Sequence, residues 1–220
     1  MKRVVVAVYD GVDMLDVCGP YDMFRWAGGI EVQLVAEVPG MVAFNQGFSF
    51  AVPDGLDAAK ACDALWVPGG APASLARLIG DPKRTYLDFL VAQADAIGAA
   101  GYVCSVCEGA LLLAAAGLLD GHEATTHWAF IPYLLERHPA VEVAAGHPRF
   151  VLDGNRLTGG GISSGLDEAL RLVELLCGTD TAQDVQRTTQ YYPDPPVHSE
   201  IPNVITSPMD QVAEAPAPST

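Results

Sequence analysis

Basic residues are scarce in this chain of 220 residues. Twelve Lys and Arg stand against 27 Asp and Glu, which gives a formal net charge of −15 at pH 7. Because such a charge repels phosphate backbones, we expect no nucleic-acid partner. The acidic residues are spread along the sequence, and solubility is a sufficient reason for them.

Long apolar runs are also missing. The longest, at 110–119, is about half of the roughly 20 residues that a bilayer crossing requires, so we predict no membrane partner. The basic start at Lys2 and Arg3 is followed by acids and by no small-residue cleavage site, which favours a first strand over a signal peptide. We therefore expect a cytoplasmic protein in which the five cysteines, an odd number, stay reduced.

Half of the residues are hydrophobic, enough for one substantial core, and strand-like and helix-like stretches alternate. Predicted strands lie at 4–9, 31–36, 48–52, 64–67, 102–106, 149–152 and 156–158. Predicted helices lie at 13–27, 72–79, 82–98, 108–116, 126–137, 164–176 and 181–191. This order predicts a three-layer α/β sandwich with a mainly parallel sheet, in which sites form at the carboxyl ends of the strands.

Prolines become frequent after residue 192. We predict a single α/β domain at 1–192 and a Pro-rich C-terminal tail at 193–220. The tail is expected to lie along the surface or to be disordered at its end, with room for a short helix at 209–213.

Cys107 stands where the strand at 102–106 passes into a helix. This position is typical of a nucleophile elbow, a tight strand-to-helix turn that presents one side chain above the sheet. Gly109 and Ala110 supply the small neighbours that such a turn needs. A helix N-terminus favours the thiolate and is expected to lower the pKa of the thiol. The alternative is that Cys107 is a small buried apolar residue.

Metal and redox motifs are weak. Cys104 and Cys107 are spaced as C-x-x-C, but Cys104 lies back along the strand and is expected to point to the opposite face. No further thiol or imidazole ligand follows nearby. His122 and His127 are five positions apart and diverge by about 140° on a helix, unlike H-E-x-x-H. We predict no metal site, and His127 is either a general base or a structural hydrogen-bond partner.

Two more stretches fall at the ends of predicted strands. Asp16 lies between Leu15 and Val17, where a buried carboxylate needs a partner, and a nearby thiol can share its proton. Gly70, at the end of Pro68-Gly69-Gly70, permits close approach of backbone N–H donors to a developing negative charge. A local cap and a plain turn are the alternatives.

Five motifs in this order resemble the DJ-1/PfpI superfamily and, within it, the bacterial isonitrile hydratases. They are Leu15-Asp16-x-x-Gly19-Pro20, Pro68-Gly69-Gly70, Ser105-Val106-Cys107-x-Gly109, Ala124-Thr125-Thr126-His127-Trp128 and Asp153-Gly154-Asn155-x-Leu157-Thr158-Gly159-Gly160-Gly161-Ile162. The resemblance runs over 4–196. It implies a flavodoxin-like sandwich, usually a homodimer, with no metal or organic cofactor.

The resemblance also implies a reaction, the hydration of a small-molecule isonitrile to an N-substituted formamide. Cys107 would attack the terminal isonitrile carbon to give a thioimidate. Asp16 would exchange protons with the thiol and the intermediate and then help to activate water. Backbone N–H groups around Gly70 and Glu108 would line the substrate pocket, and His127 is the further candidate for substrate binding.

Two positions depart from the hydratase pattern, because Glu108 and Cys18 stand where threonine is common. Glu108 adds a second acid whose protonation can couple to Asp16 and Cys107. It also replaces the histidine that follows the cysteine in peptidase relatives. Two other functions fit the same motifs: another cysteine-dependent hydrolase or glyoxalase-like hydratase, and a non-catalytic ligand or redox sensor related to the N-terminal part of AraC-type regulators.

Overall fold

The computed structural model describes residues 1–213, in which eleven strands and eight α-helices are assigned. The strands are β1 (Lys2–Val8), β2 (Ile30–Ala36), β3 (Gly40–Ala43), β4 (Ser49–Val52), β5 (Asp54–Gly55), β6 (Ala64–Val67), β7 (Tyr102–Val106), β8 (Glu123–Ala124), β9 (Glu142–Val143), β10 (Phe150–Asp153) and β11 (Arg156–Gly159). The helices are α1 (Met14–Trp26), α2 (Pro72–Ile79), α3 (Thr85–Ile97), α4 (Gly109–Ala115), α5 (Ile131–Arg137), α6 (Ser164–Cys177), α7 (Thr179–Thr189) and α8 (Pro208–Ala213).

A seven-stranded sheet forms the centre, in the order β10-β11-β7-β6-β1-β2-β5. All neighbouring pairs are parallel except the β10–β11 hairpin. Helices α1, α6 and α7 pack together as one group, and α2, α3 and α4 pack as another. The predicted three-layer α/β sandwich with a mainly parallel sheet is therefore confirmed.

The β-branched run of β1 is covered on both faces, since Val4, Val5, Val6 and Val8 are at most 1% exposed. Such runs are typical of central parallel strands. Strands β1, β6 and β7 are neighbours in the sheet, so their carboxyl ends meet at one edge. The first turn of α1 and the start of α4 follow at that edge and carry the predicted site.

The helix predicted at 126–137 is wrong in its first part. Thr126 and His127 have no regular secondary structure, a short 3-10 turn covers Trp128–Phe130, and α5 begins only at Ile131. The Thr126 hydroxyl donates a hydrogen bond to the carbonyl of Cys107, and the His127 ring accepts one from a nearby amide. These long-range and capping bonds replace the helical bonds that the local pattern favours.

After α7 the chain runs without regular secondary structure until α8, which packs against α2. Ser207 and Met209 are buried there, at 2% and 4% exposure. The short helix that the sequence allowed at 209–213 is thus present, while the end of the predicted tail lies outside the described residues. Within residues 1–213 no helix combines the length and the apolar character needed to cross a membrane.

Candidate active site

Cys107 occupies a strained turn between β7 and α4. Its φ angle is 58°, in the left-handed region that non-glycine residues seldom adopt. The amide of Cys107 donates to the carbonyl of Gly159 at 3.1 Å, and its carbonyl accepts from the Thr126 hydroxyl at 2.8 Å. Since a left-handed residue costs about 1 kcal/mol or more, these two tertiary bonds hold the turn in place. The structure therefore contains the nucleophile elbow.

The elbow is pressed against the loop that follows β6, and glycines make this approach possible. A Cβ atom at Gly109 would collide with the carbonyl of Val67, whose carbon would lie only 2.9 Å away. A Cβ atom at Gly69 would lie 2.6 Å from the amide nitrogen of Glu108 and 2.9 Å from the Cβ atom of Cys107. The two glycines are thus required by backbone contact between the strand ends.

Asp16 enters the site from the first turn of α1, where Asp13 caps the helix by accepting from the amide of Leu15. The Asp16 carbonyl accepts a 3.0 Å bond from the indole of buried Trp66, which fixes the helix over β6. Its Oδ2 accepts the amide of Gly69 at 2.9 Å, whereas Oδ1 is buried without a partner among the described residues. Because Asp16 is fully buried, Oδ1 is also shielded from solvent.

The side chains of Asp16, Cys107 and Glu108 meet at one point. One ligand-type atom of each, a carboxylate oxygen or the thiol sulfur, lies within 4.8 Å of the other two. The three residues are 0%, 1% and 7% exposed, respectively. The fold therefore brings together two carboxyl groups and a thiol that the sequence spreads over α1 and the elbow.

Burial determines the proton affinities of this cluster. It raises the pKa of the Cys107 thiol well above its usual value, and the neighbouring Asp16 and Glu108 carboxylates raise it further. Burial and the two carboxylates therefore outweigh the helix N-terminus, which was expected to lower the pKa of the thiol. Burial and then Glu108 raise the pKa of Asp16, and burial raises the pKa of Glu108 to about 7. Near neutral pH the three groups share protons instead of ionising together.

The backbone N–H groups after β6 serve the carboxyl groups. The Gly69 amide donates to Asp16, and the backbone amide of Gly70 counteracts the rise in the pKa of Glu108. Gly70 therefore lies close to Glu108, in the region of the predicted site. The amide of Ile162 faces the thiol of Cys107 and favours its thiolate.

His127 lines a cavity of about 310 Å³ with Trp128, Arg149, Ile162 and Ile201, next to Thr126, which bonds to the Cys107 carbonyl. Its Nδ1 accepts the amide of Ala129 at 3.2 Å, so the proton of the neutral ring is on Nε2. Burial lowers the pKa of His127, which keeps the ring neutral near pH 7. In this tautomer Nε2–H is available as a hydrogen-bond donor, while the lone pair of Nδ1 already accepts the amide of Ala129.

The other cysteines are outside the cluster. Cys104 is fully buried in β7; burial raises the pKa of its thiol, and the Glu168 carboxylate raises it further. Cys18 is exposed and lines a separate apolar cavity with Tyr21 and Phe48. Both thiols are free, and the structure does not join Cys104 and Cys107.

Glu168 is a buried acid that the sequence analysis missed. It is 0% exposed, and neither carboxylate oxygen has a partner within the described part of the chain. It packs against Gly159, where an added Cβ atom would lie 3.1 Å from its Cδ. The sequence did contain a sign of this burial. Glu168 stands four residues before Leu172, and this helical spacing places both side chains on the apolar face of α6.

Comparison with known proteins then decides the family. A sequence model described as the DJ-1/PfpI family matches residues 2–175. The chain belongs to the DJ-1/PfpI family. The resemblance noted from its five motifs is thereby confirmed.

Curated and solved relatives of this DJ-1/PfpI protein include both enzymes and regulators. An isonitrile hydratase of Pseudomonas putida is 38% identical over 213 residues, which cover 96% of this chain and 89% of the hydratase. The HTH-type transcriptional regulator GlxA of Rhizobium meliloti is 35% identical over 72% of this chain and 47% of the regulator. A ThiJ/PfpI family protein from Pseudomonas syringae superposes with a TM-score of 0.79 at 30% identity, covering 97% of this chain and 86% of that protein.

Proposed function

We propose that this protein is an isonitrile hydratase that converts a small isonitrile to an N-substituted formamide through a thioimidate on Cys107. The observation that carries the proposal is the buried cluster of Cys107, Asp16 and Glu108 at the nucleophile elbow. The 38% identity to an isonitrile hydratase over nearly the whole chain supports the same chemistry. No cofactor takes part in the proposed steps.

In the first step the sulfur of Cys107 bonds to the terminal carbon of the isonitrile. One carboxyl group of the Asp16–Glu108 pair accepts the S–H proton, and the pair delivers a proton to the same carbon. An S–C and a C–H bond form, and the product is the thioimidate R–N=CH–S. Because the thiol starts protonated in a buried acidic site, coupling attack to protonation avoids adding a further negative charge there.

In the second step water adds to the thioimidate carbon. A carboxylate of the pair takes a proton from the water, and the imine nitrogen receives one, which gives R–NH–CH(OH)–S. The S–C bond then breaks, sulfur regains its proton and the formamide R–NH–CHO leaves. Two addition steps of this kind replace one difficult direct hydration. A Glu108 pKa of about 7 suits a group that both donates and accepts protons at neutral pH.

The cavity next to the elbow is the proposed place for the R group. Thr126 and Ile162 line it and also contact Cys107 through the Thr126 hydroxyl and the Ile162 amide. A volume of about 310 Å³ lies at the lower end of the range for small-molecule sites and suits a small substituent. His127 contributes its Nε2–H as a hydrogen-bond donor to that substituent.

The test is incubation with a panel of simple isonitriles and detection of the formyl proton of the formamide by NMR. Cys107→Ala should reduce turnover by at least about 10³-fold, since removal of a nucleophile disables the whole catalytic unit. Acid quenching during turnover should leave the isonitrile mass on the peptide that contains Cys107. Cys18→Ala is the matched control and should remain active, because Cys18 lines another cavity.

A Cys107→Ala variant that still makes formamide would contradict the covalent route. Formation of lactate from methylglyoxal, without any formamide from isonitriles, would instead favour the glyoxalase-like alternative.

A second candidate function, a ligand or redox sensor without turnover, is favoured by the 35% identity to a transcriptional regulator. In that case the isonitrile panel would give no formamide and no adduct. Mild oxidation would instead convert Cys107 selectively to a stable sulfinate, visible as a mass increase on the same peptide.

We further propose that the chain forms a homodimer. Large apolar side chains are exposed on α1 and on the β3–β4 hairpin: Trp26 is 56%, Met41 65% and Phe48 59% exposed. Tyr21 of α1 and Phe48 of the hairpin also line one apolar cavity, so the two elements share an apolar surface of the kind found at association sites. Light scattering should give twice the chain mass, and Trp26→Glu should shift the protein towards the monomer, whereas a monomeric wild type would refute the dimer.

A further inference from the structure

The wall of the cavity beside the elbow is rich in hydrogen-bond donors. His127, His147 and Arg149 line this cavity together. None of the described residues that line it is Asp or Glu, although the chain as a whole carries a net charge of −15. Because clefts lined by charge of one sign attract ligands of the opposite sign, this cavity suits an anionic group better than a cationic one.

Arg149 keeps donors available although it is ion-paired. Its Nε–H donates to the carboxylate of Asp167 at 2.7 Å, one Nη2–H donates to the same carboxylate, and one Nη1–H donates to the Ser163 hydroxyl at 3.1 Å. A guanidinium has five N–H donors. One on Nη1 and one on Nη2 therefore remain without an acceptor in the described part of the chain. Asp167 does not line the cavity, so it orients the guanidinium without occupying the space for a ligand.

His127 supplies a further donor in the same cavity. Its Nδ1 accepts a backbone amide, so the proton of the neutral ring lies on Nε2. The ring packs against Gly161, where an added Cβ atom would lie only 3.2 Å from Nε2. The glycine thus leaves room for the ring at the cavity wall, and Nε2–H remains available to a ligand.

We propose that Arg149 and His127 form a carboxylate-binding subsite, and that the substrate is an isonitrile whose substituent ends in a carboxylate group. This inference rests on the proposed hydratase function and names the class of its substrate. Two N–H donors of one guanidinium match the two oxygens of a carboxylate, which makes arginine the usual partner of that group. The formamide product keeps the carboxylate and occupies the same subsite.

The sheet sets the distance between the subsite and the nucleophile. Phe150, which follows Arg149, pairs with Gly159, and Gly159 pairs with Val106, the residue before Cys107. Two strand spacings of about 4.8 Å therefore separate the backbone of Arg149 from that of the elbow by roughly 10 Å. The side chains of Arg149 and Cys107 shorten this gap. A short aliphatic linker between the isonitrile and the carboxylate fits such a separation.

The first test compares acids with their neutral esters as substrates of the full-length protein. The pairs are 3-isocyanopropanoate and 5-isocyanopentanoate, each with its methyl ester, and formamide is measured by NMR at low salt, where charge is screened least. For the better acid, kcat/KM of wild type should exceed that of its ester by at least about tenfold, which is what a hydrogen bond to a charged group contributes.

Two variants change the subsite in opposite directions. Arg149→Gln should lower the acid-to-ester ratio of kcat/KM by at least about tenfold, because it removes the guanidinium. Asp167→Asn keeps the guanidinium and removes the carboxylate that competes for it, so binding of the acid should strengthen. If the ion pair served the fold alone, both variants would weaken the protein in the same way and neither would change the ratio.

Arg187→Gln is the matched control. Arg187 is also ion-paired, with Asp184, and its side chain is 58% exposed, compared with 52% for Arg149. It does not line the cavity, so the ratio should stay as in wild type. Circular dichroism checks that each variant is folded.

The second test needs no turnover. Calorimetry with N-formyl-β-alanine, the formamide of the shorter acid, should show tighter binding than with its methyl ester, and Arg149→Gln should abolish the difference. Equal affinity of wild type for the acid and the ester, or an unchanged preference in Arg149→Gln, would overturn the subsite even if isonitriles are converted. Binding of the acid that depends on Arg149, without conversion of any isonitrile, would retain the subsite and refute the hydratase.

Discussion

The hydroxyl of Thr126 donates a 2.8 Å hydrogen bond to the carbonyl oxygen of Cys107. Both residues are buried, at 2% and 1% exposure. The bond therefore joins the segment before α5 to the left-handed residue of the elbow. It links the wall of the proposed substrate cavity to the proposed nucleophile.

Thr126→Val should destabilise the protein by about 1–3 kcal/mol. Valine keeps the shape of threonine but leaves a buried carbonyl without this donor. Urea unfolding measures the effect. In the control Thr189→Val the lost hydroxyl donates to Val185 within α7, where the helix supplies backbone bonds as well, so a change below about 0.5 kcal/mol is expected. Equal effects of the two changes would contradict the role of the Thr126 bond.

Gly109→Ala should destabilise the fold by more than about 2 kcal/mol. The added Cβ atom would meet the backbone of Val67, which cannot move without disturbing β6. Gly29→Ala is the matched control, because its Cβ atom would meet Cys177 at an ordinary 3.7 Å. Thermal unfolding of both variants measures the difference. A Gly109→Ala variant as stable as wild type would show that the elbow is not pressed against β6.

Glu168→Gln should stabilise the protein increasingly as pH rises. Burial and then Asp16 raise the pKa of Glu168 in the folded state well above the unfolded value of about 4.3. The folded state therefore binds more protons between these two values, and wild-type stability falls as pH rises through them. Glutamine keeps the shape without this loss, so the variant should exceed wild type by about 1 kcal/mol or more at pH 8.

Near pH 4 that difference should shrink, because Glu168 is then protonated in the folded state and mostly protonated in the unfolded state. Urea unfolding at several pH values tests the trend. The control Glu136→Gln, whose side chain is 69% exposed, should change stability by less than about 0.5 kcal/mol, as surface substitutions usually do. A Glu168→Gln variant with the same offset from wild type at pH 4 and pH 8 would contradict the argument.

Alkylation of Cys107 should be slow at neutral pH. Burial, Asp16 and Glu108 raise the pKa of the thiol, and only the thiolate reacts with iodoacetamide. The folded protein should react at Cys107 at least about tenfold more slowly than the protein unfolded in urea, because burial and the raised pKa both reduce the amount of reactive thiolate.

Glu108→Gln should move the pH profile of this alkylation to lower pH, because it removes a negative neighbour and leaves an amide of similar size. Peptide mass spectrometry separates Cys107 from the other four cysteines. A profile that moves to higher pH in Glu108→Gln would mean that Glu108 favours the thiolate.

The sequence alone predicted much of the architecture. The alternation of β-branched runs with helical spacing is local information, and it was sufficient for β1, β6 and β7, for α1 and for the β10–β11 hairpin. The small residues after Cys107 predicted the elbow because tight turns require them. The pattern failed at 126–137, where bonds from Thr126 to the elbow and from His127 to a nearby amide oppose local helix formation.

What the sequence determined by itself is the order of the elements, the motif set of the DJ-1/PfpI family and the placing of a thiol at a strand-to-helix turn. Only the tertiary structure decided the chemical environment of that thiol. Proton affinity depends on burial and on charges from distant parts of the chain, so helix α1 and β6 were needed to place Asp16 beside Cys107 and Glu108. Burial then outweighs the helix N-terminus and raises the pKa of Cys107, an outcome that no local pattern contains.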